Sequence, residues 1–178
     1  MRKLANDELN RLNIEQFKAA EKIAVTVVLE NVRSALNVGA VFRTADGFRL
    51  EKVWLIGYTA TPPNKEMHKT ALGATETVTW EQRATTSEVI EELKTNGYRV
   101  YAVEQVEQSI MLNDFAPAAD EKIALIFGNE VSGVEQQTIN ACDGTLEIPQ
   151  FGAKHSLNIS VSAGIVLWHL VNRKLSGG

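Results

Sequence analysis

Unbroken apolar runs recur along this chain, separated by longer stretches in which apolar residues return at helical spacing. Continuous runs rich in β-branched residues are typical of strands buried on both faces. The sequence predicts five such strands, with a sixth, shorter candidate at 77–80, and the five lie at 23–29, 52–57, 98–104, 122–128 and 145–148.

Helix-start signals and helical spacing occupy the stretches between these runs. The predicted helices cover 4–21 with a capping-box restart at Asn13 and Gln16, a segment beginning near Asn37, 64–71, 87–96, and a short helix opened by Ser132 and Glu135. Strands that alternate with helices indicate an α/β fold, a mostly parallel sheet with helices on both faces.

The last predicted helix follows Ser156 or Asn158, either of which is a suitable N-cap. Its apolar residues lie on more than one face, whereas a helix with one exposed side carries a polar stripe there. The sequence therefore predicts a helix buried on two sides, with the sheet covering one side and a second partner covering the other. The apolar positions are Ile159, Val161, Ile165, Val166, Leu167, Trp168, Leu170 and Val171.

Length and composition predict one globular domain over residues 23–178, preceded by a short helical extension at 1–22. The chain has 178 residues and a formal net charge of -4, which gives no global attraction to nucleic acid. Cys142 is the single cysteine, so an internal disulfide is excluded. No secretory signal or membrane-spanning run is found, and we expect a cytoplasmic protein.

Ligands of open parallel sheets bind beyond the carboxyl ends of the strands. Four predicted loops fit this position, after Leu29, Glu104, Gly128 and Ile148. Gly128 ends a buried strand, where a missing side chain is expected to leave room for a ring or a sugar.

Candidate polar residues lie in the first of these loops. Arg33, Asn37 and Arg43 are expected to border one cleft, and the planar guanidinium of an arginine suits a phosphate. The alternative is a capped helix with two solvated arginines.

Two further candidates have equally plain alternatives. Glu130 precedes a predicted helix start, where the helix dipole alone favours an acid. Lys154 and His155 precede the last helix, and His155 is either an acid–base group or a surface residue. His68 and His169 are too scattered to form a metal site, so no metal is predicted.

Three blocks of this sequence resemble the SpoU-type (TrmH-like) RNA 2′-O-ribose methyltransferases of the SPOUT superfamily. The blocks are NVRSALNVGAVFRTADGF, LIFGNEVSGV and IPQFGAKHSLNISVSAG, in that order, and HKTALGA at 68–74 resembles the substrate-side loop of the family. The resemblance covers about residues 23–174.

The resemblance implies a C-terminal trefoil knot, S-adenosylmethionine as cofactor, a homodimer formed through the C-terminal helix, and methylation of a ribose 2′-hydroxyl in RNA. We expect tRNA as the substrate, with rRNA as the alternative. By position, the implied catalytic residues are Arg43, Asn37, Glu130, Ser156 and Asn158, and the implied cofactor-binding residues are Glu104, Gly128, Ile148, Ser156 and Leu157.

Because an arginine resists deprotonation, we expect Arg43 to hold a phosphate and stabilise the developing oxyanion rather than act as a base. Asn37 and Asn158 would orient Arg43 or the ribose, and Glu130 would fix Arg43 or the substrate. Two other classes stay open: a catalytically inactive RNA-binding protein of the same fold, and a flavodoxin-like binder of small molecules.

Overall fold

The computed structural model describes residues 1–153 and 156–176, and in this part of the chain seven strands form one sheet. All six strand pairings are parallel, and the strand order is β3-β2-β1-β6-β4-β7-β5. The strands are β1 (Ile23–Glu30), β2 (Leu50–Ile56), β3 (Trp80–Arg83), β4 (Tyr98–Val103), β5 (Ile110–Met111), β6 (Lys122–Phe127) and β7 (Gly144–Glu147).

Helices alternate with these strands as predicted. They are α1 (Ile14–Ala19), α2 (Ala35–Gly47), α3 (Lys65–Ala71), α4 (Ala74–Thr77), α5 (Thr86–Thr95), α6 (Gln136–Ala141) and α7 (Ile159–Ser176), with 3-10 turns at Asn6–Leu9 and Leu112–Asp114. The capping box of Asn13 and Gln16 is confirmed by two reciprocal hydrogen bonds of 3.0 and 2.9 Å.

Three local predictions are wrong. The segment 77–80 is not a strand, because 74–77 is helical and the strand starts at Trp80. The segment 4–21 is broken into a 3-10 turn and α1. Ser132 does not open α6: its amide donates to Asn129, and the helix begins after Glu135. In the first case pairing with the distant β2 decides where the strand begins, and in the third the local turn built on Asn129 displaces the helix start.

Two hydrophobic layers enclose the sheet, which confirms helices on both faces. One layer packs the sheet against α2, α3 and α7, and it includes Phe42, Met67 and Leu167. The other packs it against α5 and α6 through Trp54, Val89 and neighbours. The N-terminal segment contributes Phe17 to the first layer.

α7 buries only one side within this chain. Ala163, Val166, Leu167 and Leu170 are fully buried against the first layer. On the remaining surface, Val161, Ile165 and Trp168 are 49%, 38% and 58% exposed. An apolar stripe of this kind is what the sequence predicted for a helix that also packs on a partner. None of the helices in the described ranges is long and apolar enough to cross a membrane.

Candidate functional site

Four loops meet at one edge of the sheet because β1, β6, β4 and β7 are neighbours and run in the same direction. Their carboxyl ends carry the loops that the sequence singled out, and the parallel topology places all four on the same side. Segments far apart in the chain therefore contribute to one site.

Glu130 is the centre of the polar network at this edge. Its carboxylate accepts hydrogen bonds from the backbone amides of Arg33 (2.9 Å) and Ser34 (3.0 Å) and from the Asn37 side chain (3.0 Å). Glu130 precedes no helix start directly, since α6 begins at Gln136. It therefore ties the loop after β6 to the first turn of α2, and the helix-start explanation for this acid is set aside.

The pKa of Glu130 is lower than that of an ordinary glutamate. Partial burial acts to raise the pKa, but the hydrogen bonds from Arg33, Ser34 and Asn37 favour the charged form and together outweigh burial. Glu130 is thus an anion at neutral pH, with its charge directed at the start of α2.

Asn37 links this carboxylate to the third sequence block. Its Nδ2 donates to Glu130, while its Oδ1 accepts from Asn158 Nδ2 at 3.2 Å. Asn158 also accepts from the amide (2.9 Å) and hydroxyl (2.6 Å) of Ser160, so Asn158 rather than Ser156 caps α7. The structure thus joins three predicted catalytic residues in one chain of hydrogen bonds.

The N-terminus of α2 begins two residues before Asn37. Ser34 is the N-cap, and its hydroxyl accepts from the Asn37 amide at 3.3 Å. The prediction of a helix starting near Asn37 was therefore close, and Asn37 lies in the first turn, where its side chain reaches the loops.

Arg43 lies farther along α2 and is exposed. Within residues 1–153 and 156–176, no side chain forms a hydrogen bond or ion pair with its guanidinium. Of the two partners predicted for Glu130, Arg43 is wrong, because Glu130 is bound to the Arg33–Asn37 turn instead, and the substrate stays a prediction. Arg33 is also exposed, and it enters the network through its backbone amide.

Asn129 shapes the loop that carries Glu130, and sequence reasoning missed it. Its Oδ1 accepts from the amides of Val131 (2.7 Å) and Ser132 (3.1 Å). Its Nδ2 donates to the carbonyl of Asn31 (2.9 Å) and to the hydroxyl of Tyr58 (2.8 Å). The sequence does carry a signal for this role, since Asn129 lies between Gly128 and Gly133 and an asparagine in a turn commonly hydrogen-bonds the backbone of that turn.

Glu104 and Gly128 hold the same loop from the other side. Glu104 accepts from the amides of Val134 (3.0 Å) and Gln105 (2.9 Å). A Cβ at Gly128 would lie 2.2 Å from the backbone of Gly133 and Val134. The space at Gly128 is therefore filled, and the expectation that it is free for a ring or sugar is wrong. The roles of Glu104 and Gly128 in cofactor binding stay predictions.

The loop between β7 and α7 supplies the other predicted cofactor residues. Ile148 is half-buried and packs against the first layer, Leu157 is 38% exposed, and Ser156 is exposed. Half-exposed apolar side chains beside backbone groups suit a purine nucleoside, so these residues fit an adenosyl group. Lys154 and His155 lie outside the described residues.

Glu30, at the end of β1, is a buried carboxylate that the sequence analysis did not select. Only 1% of it is exposed. It accepts from the hydroxyls of Thr86 and Thr138 and from the amide of Glu135 at 2.9 Å. Glu30 therefore fastens α5 and α6 to the sheet directly behind the site.

Other predicted minor features also have defined places. Cys142 caps the end of α6 and packs against the second layer, and burial raises the pKa of its thiol to about 12. His169 bonds the Phe115 carbonyl at 2.8 Å. Over the part of the chain that the structure describes, no group of three His, Cys, Asp or Glu side chains is placed to hold a metal ion.

Comparisons with known proteins agree with this arrangement. The model of the SpoU rRNA methylase family matches residues 24–168. A tRNA (guanosine(18)-2′-O)-methyltransferase of Thermus thermophilus is 30% identical over 172 residues, which are 96% of this chain and 86% of that protein. An uncharacterized tRNA/rRNA methyltransferase of Borreliella burgdorferi is 31% identical over 157 residues, 88% of this chain and 67% of that protein.

Solved structures share the fold. The A. aeolicus TrmH/SpoU tRNA modifying enzyme superposes with a TM-score of 0.78 at 23% identity, over 89% of this chain and 79% of that chain. An AdoMet-bound rRNA methyltransferase from Sinorhizobium meliloti gives a TM-score of 0.79 at 25% identity, over 90% of this chain and 61% of that chain.

Proposed function

We propose that this chain, which belongs to the SpoU rRNA methylase family, transfers a methyl group from S-adenosylmethionine to a ribose 2′-hydroxyl of RNA. One observation carries the proposal: Glu130, Asn37 and Asn158 come from three separate sequence blocks and form a continuous chain of hydrogen bonds. Family membership also sets aside the flavodoxin-like alternative.

S-adenosylmethionine supplies an electrophilic methyl group on a sulfonium. We propose that Gly128, Ile148, Ser156 and Leu157 hold it through backbone and apolar contacts, with Glu104 fixing the loop beside it. The residues present fit this ligand because the half-exposed Ile148 and Leu157 offer the apolar surface that a purine requires.

The chain's own groups then position the ribose. Alignment of reacting atoms supplies up to roughly 7–11 kcal/mol in favourable cases. Each member of the Glu130–Asn37–Asn158 network bonds to backbone or to a neighbouring side chain, which restrains its orientation. We infer that it fixes the first turn of α2, and that Asn37 or Asn158 orients the ribose.

We propose that Arg43 binds the negative charge of the RNA substrate. Its guanidinium is exposed on the helix that Glu130 anchors. An exposed guanidinium is accessible to a phosphate oxygen, which it binds through its planar fork of donors. In this role Arg43 holds the RNA backbone and stabilises negative charge developing on the 2′-oxygen.

The test is Arg43→Ala, measured by methyl transfer to RNA and by calorimetric binding of S-adenosylmethionine. We expect no detectable transfer and an unchanged cofactor affinity. Arg43→Lys keeps the charge but removes the fork, and near-full activity of that variant would contradict a bidentate phosphate contact. Cofactor binding without transfer by the wild-type protein would instead identify an inactive RNA-binding member of the family.

We propose tRNA as the substrate, with rRNA as the second candidate. The tRNA proposal is supported by the Thermus thermophilus relative, which covers nearly the whole chain. The rRNA alternative is supported by the Sinorhizobium meliloti structure. To distinguish the two, the protein is incubated with labelled S-adenosylmethionine and with either tRNA or rRNA purified from a deletion strain. Mapping the label in the RNA that accepts it identifies the methylated nucleotide.

We further propose a homodimer formed through α7, a trefoil knot in the C-terminal part, and a cytoplasmic location. The exposed Val161, Ile165 and Trp168 support the dimer, because an apolar stripe of this kind marks a protein contact. The reduced Cys142 and an RNA substrate are consistent with the cytoplasm. Trp168→Glu should convert a dimer to a monomer in light scattering, whereas Arg173→Glu should not, because Arg173 is exposed and lies about 100° around the helix from this stripe.

A further inference from the structure

A cavity opens at the same edge of the sheet as the Glu130 network, on the side of α5 and α6. Its volume is about 410 Å³, which lies within the usual range for small-molecule pockets. Four apolar side chains and several polar ones line it, among them Ile56, Ile90, Asn31, Ser87, Glu135 and Gln137.

This cavity shares two loops with the Glu130 network. Asn31 lies two residues before Arg33, whose amide binds Glu130, and the Asn31 carbonyl accepts from Asn129 at 2.9 Å. Glu135 lies in the loop that carries Glu130. An RNA whose ribose is held by the network therefore has its neighbouring nucleotides close to the cavity.

The lining does not suit a phosphate. Among the described residues, those that form the cavity include no lysine or arginine, and the charged group is the Glu135 carboxylate. The exposed Ala84 and Ala141, with the small accessible parts of the largely buried Ile56 and Ile90, provide an apolar surface for the face of a ring. The hydroxyl and amide groups of Ser87 and Gln137 lie around it.

The carboxylate favours a ligand that donates hydrogen bonds. Glu135 accepts from Asn31 (2.9 Å) on one oxygen and from Gln137 (2.8 Å) on the other. Each carboxylate oxygen has two lone-pair sites, so Glu135 retains acceptor capacity. Adenine, cytosine and guanine carry exocyclic amino groups that bond such an acceptor, whereas uracil has no amino group and offers only its ring N3–H.

We propose that this cavity binds an unpaired, amino-bearing nucleobase of the RNA substrate, close to the methylated nucleotide. The proposal rests on the proposed RNA methyltransferase function and adds a specificity subsite to it. Proteins recognise single-stranded RNA by taking splayed-out bases into such pockets and bonding their edges.

Tyr58 is consistent with an unpaired stretch of RNA at this edge. Its side chain is 63% exposed, while its hydroxyl accepts from Asn129, the residue that also bonds Asn31. The ring is therefore both oriented and accessible, as in proteins that stack bases on aromatic side chains.

Two adjacent glutamines provide a matched test. Gln137 lines the cavity, whereas Gln136 bonds Asn140 on the outer side of α6 at 2.9 Å and is not part of the lining. Gln137→Phe fills the cavity. We expect its Kd and KM for unmodified tRNA to rise about tenfold, with cofactor affinity unchanged, while Gln136→Phe resembles the wild type in both.

Equal tRNA affinity of the two variants would overturn the proposal. If Gln137→Phe fails to fold, as judged by lost cofactor binding, Ser87→Phe fills the cavity from the opposite wall and gives the same comparison. Because tRNA binding is measured apart from methyl transfer, a wild-type protein that binds tRNA but transfers nothing would refute the proposed function and still test the cavity.

Base preference gives a second readout. Short oligo(A) and oligo(C) should compete for the wild-type protein better than oligo(U) of the same length. Glu135→Gln keeps the volume but adds a donor in place of the anionic acceptor, so this preference should narrow. A preference for oligo(U), or one unchanged in Glu135→Gln, would contradict the role of the carboxylate.

Discussion

Glu30 and Glu130 lie at the same edge of the sheet, and each accepts hydrogen bonds from three donors. Glu30 is 1% exposed and bonds Thr86, Thr138 and the amide of Glu135. Glu130 is exposed and bonds the Arg33–Asn37 turn. The number of donors is equal, so the difference between them is burial.

Burial decides what each carboxylate does. A buried charge is stable only while its donors remain, and removing one partner is strongly destabilising. An exposed carboxylate can exchange a partner for water at low cost, so it is free to act on a substrate-binding turn. We conclude that Glu30 maintains the fold behind the site, while Glu130 arranges the site itself.

The largest expected effect is on stability, in Glu30→Ala. Three donors lose their acceptor, and a buried unsatisfied donor costs about 1–3 kcal/mol. Because water can fill part of the space, we expect the free energy of unfolding to fall by about 3 kcal/mol in total. Urea denaturation at fixed protein concentration measures it. The neighbouring Cys142 thiol, protected by a pKa of about 12, should also react faster with thiol reagents.

The second effect is on catalysis, in Glu130→Ala. Loss of the anchor for the first turn of α2 should lower kcat by more than about tenfold, equivalent to about 1.4 kcal/mol in the barrier. The unfolding midpoint should change little, because water replaces the exposed carboxylate. Methyl-transfer kinetics and denaturation are measured on the same preparation. A wild-type rate in Glu130→Ala would show that Glu130 only holds its loop and does not contribute to catalysis.

A smaller change sharpens the buried side of the comparison. Thr138→Val removes one hydroxyl from Glu30 at nearly constant volume, and we expect a loss of about 1 kcal/mol in the free energy of unfolding. Thr138→Ser keeps the hydroxyl and serves as the control. Equal stability of the two variants would show that Glu30 does not depend on this bond.

The smallest effect concerns pH. Since the folded-state pKa of Glu130 is lowered, its contribution to stability is complete above the ordinary glutamate pKa and is lost as pH falls through the folded value. The difference in unfolding free energy between wild type and Glu130→Gln should be constant from pH 7 to about pH 5 and shrink below it. A difference that grows on acidification would contradict the lowered pKa.

Much of the fold was predictable because local patterns and tertiary packing agree. The five apolar runs all became strands, since a run that is apolar on both sides requires helices above and below it. β5 was missed because it is only Ile110–Met111, with both residues exposed, and it is defined by pairing to β7. A two-residue strand leaves no periodic signal.

The sequence predicted which residues meet at the site better than it predicted their hydrogen-bond partners. Asn37, Glu130 and Asn158 were selected together from the resemblance, and hydrogen bonds join them, while their catalytic roles stay predictions. The pairing of Glu130 with Arg43 was wrong, because the carboxylate accepts instead from Arg33, Ser34 and Asn37, which precede Arg43 in the same loop and helix. Spacing along the sequence carries no information on which of several nearby donors a side chain reaches.

The sequence by itself determined the alternation of strands and helices, and hence that the functional loops gather at the carboxyl edge of a parallel sheet. Only the tertiary structure decided which glutamate is buried and which is open to a substrate. Glu30 is the last residue of one apolar strand and Glu130 follows another by three residues, so the local pattern does not separate them. Burial depends on what α5 and α6 place over the strand end, and that is a property of long-range packing.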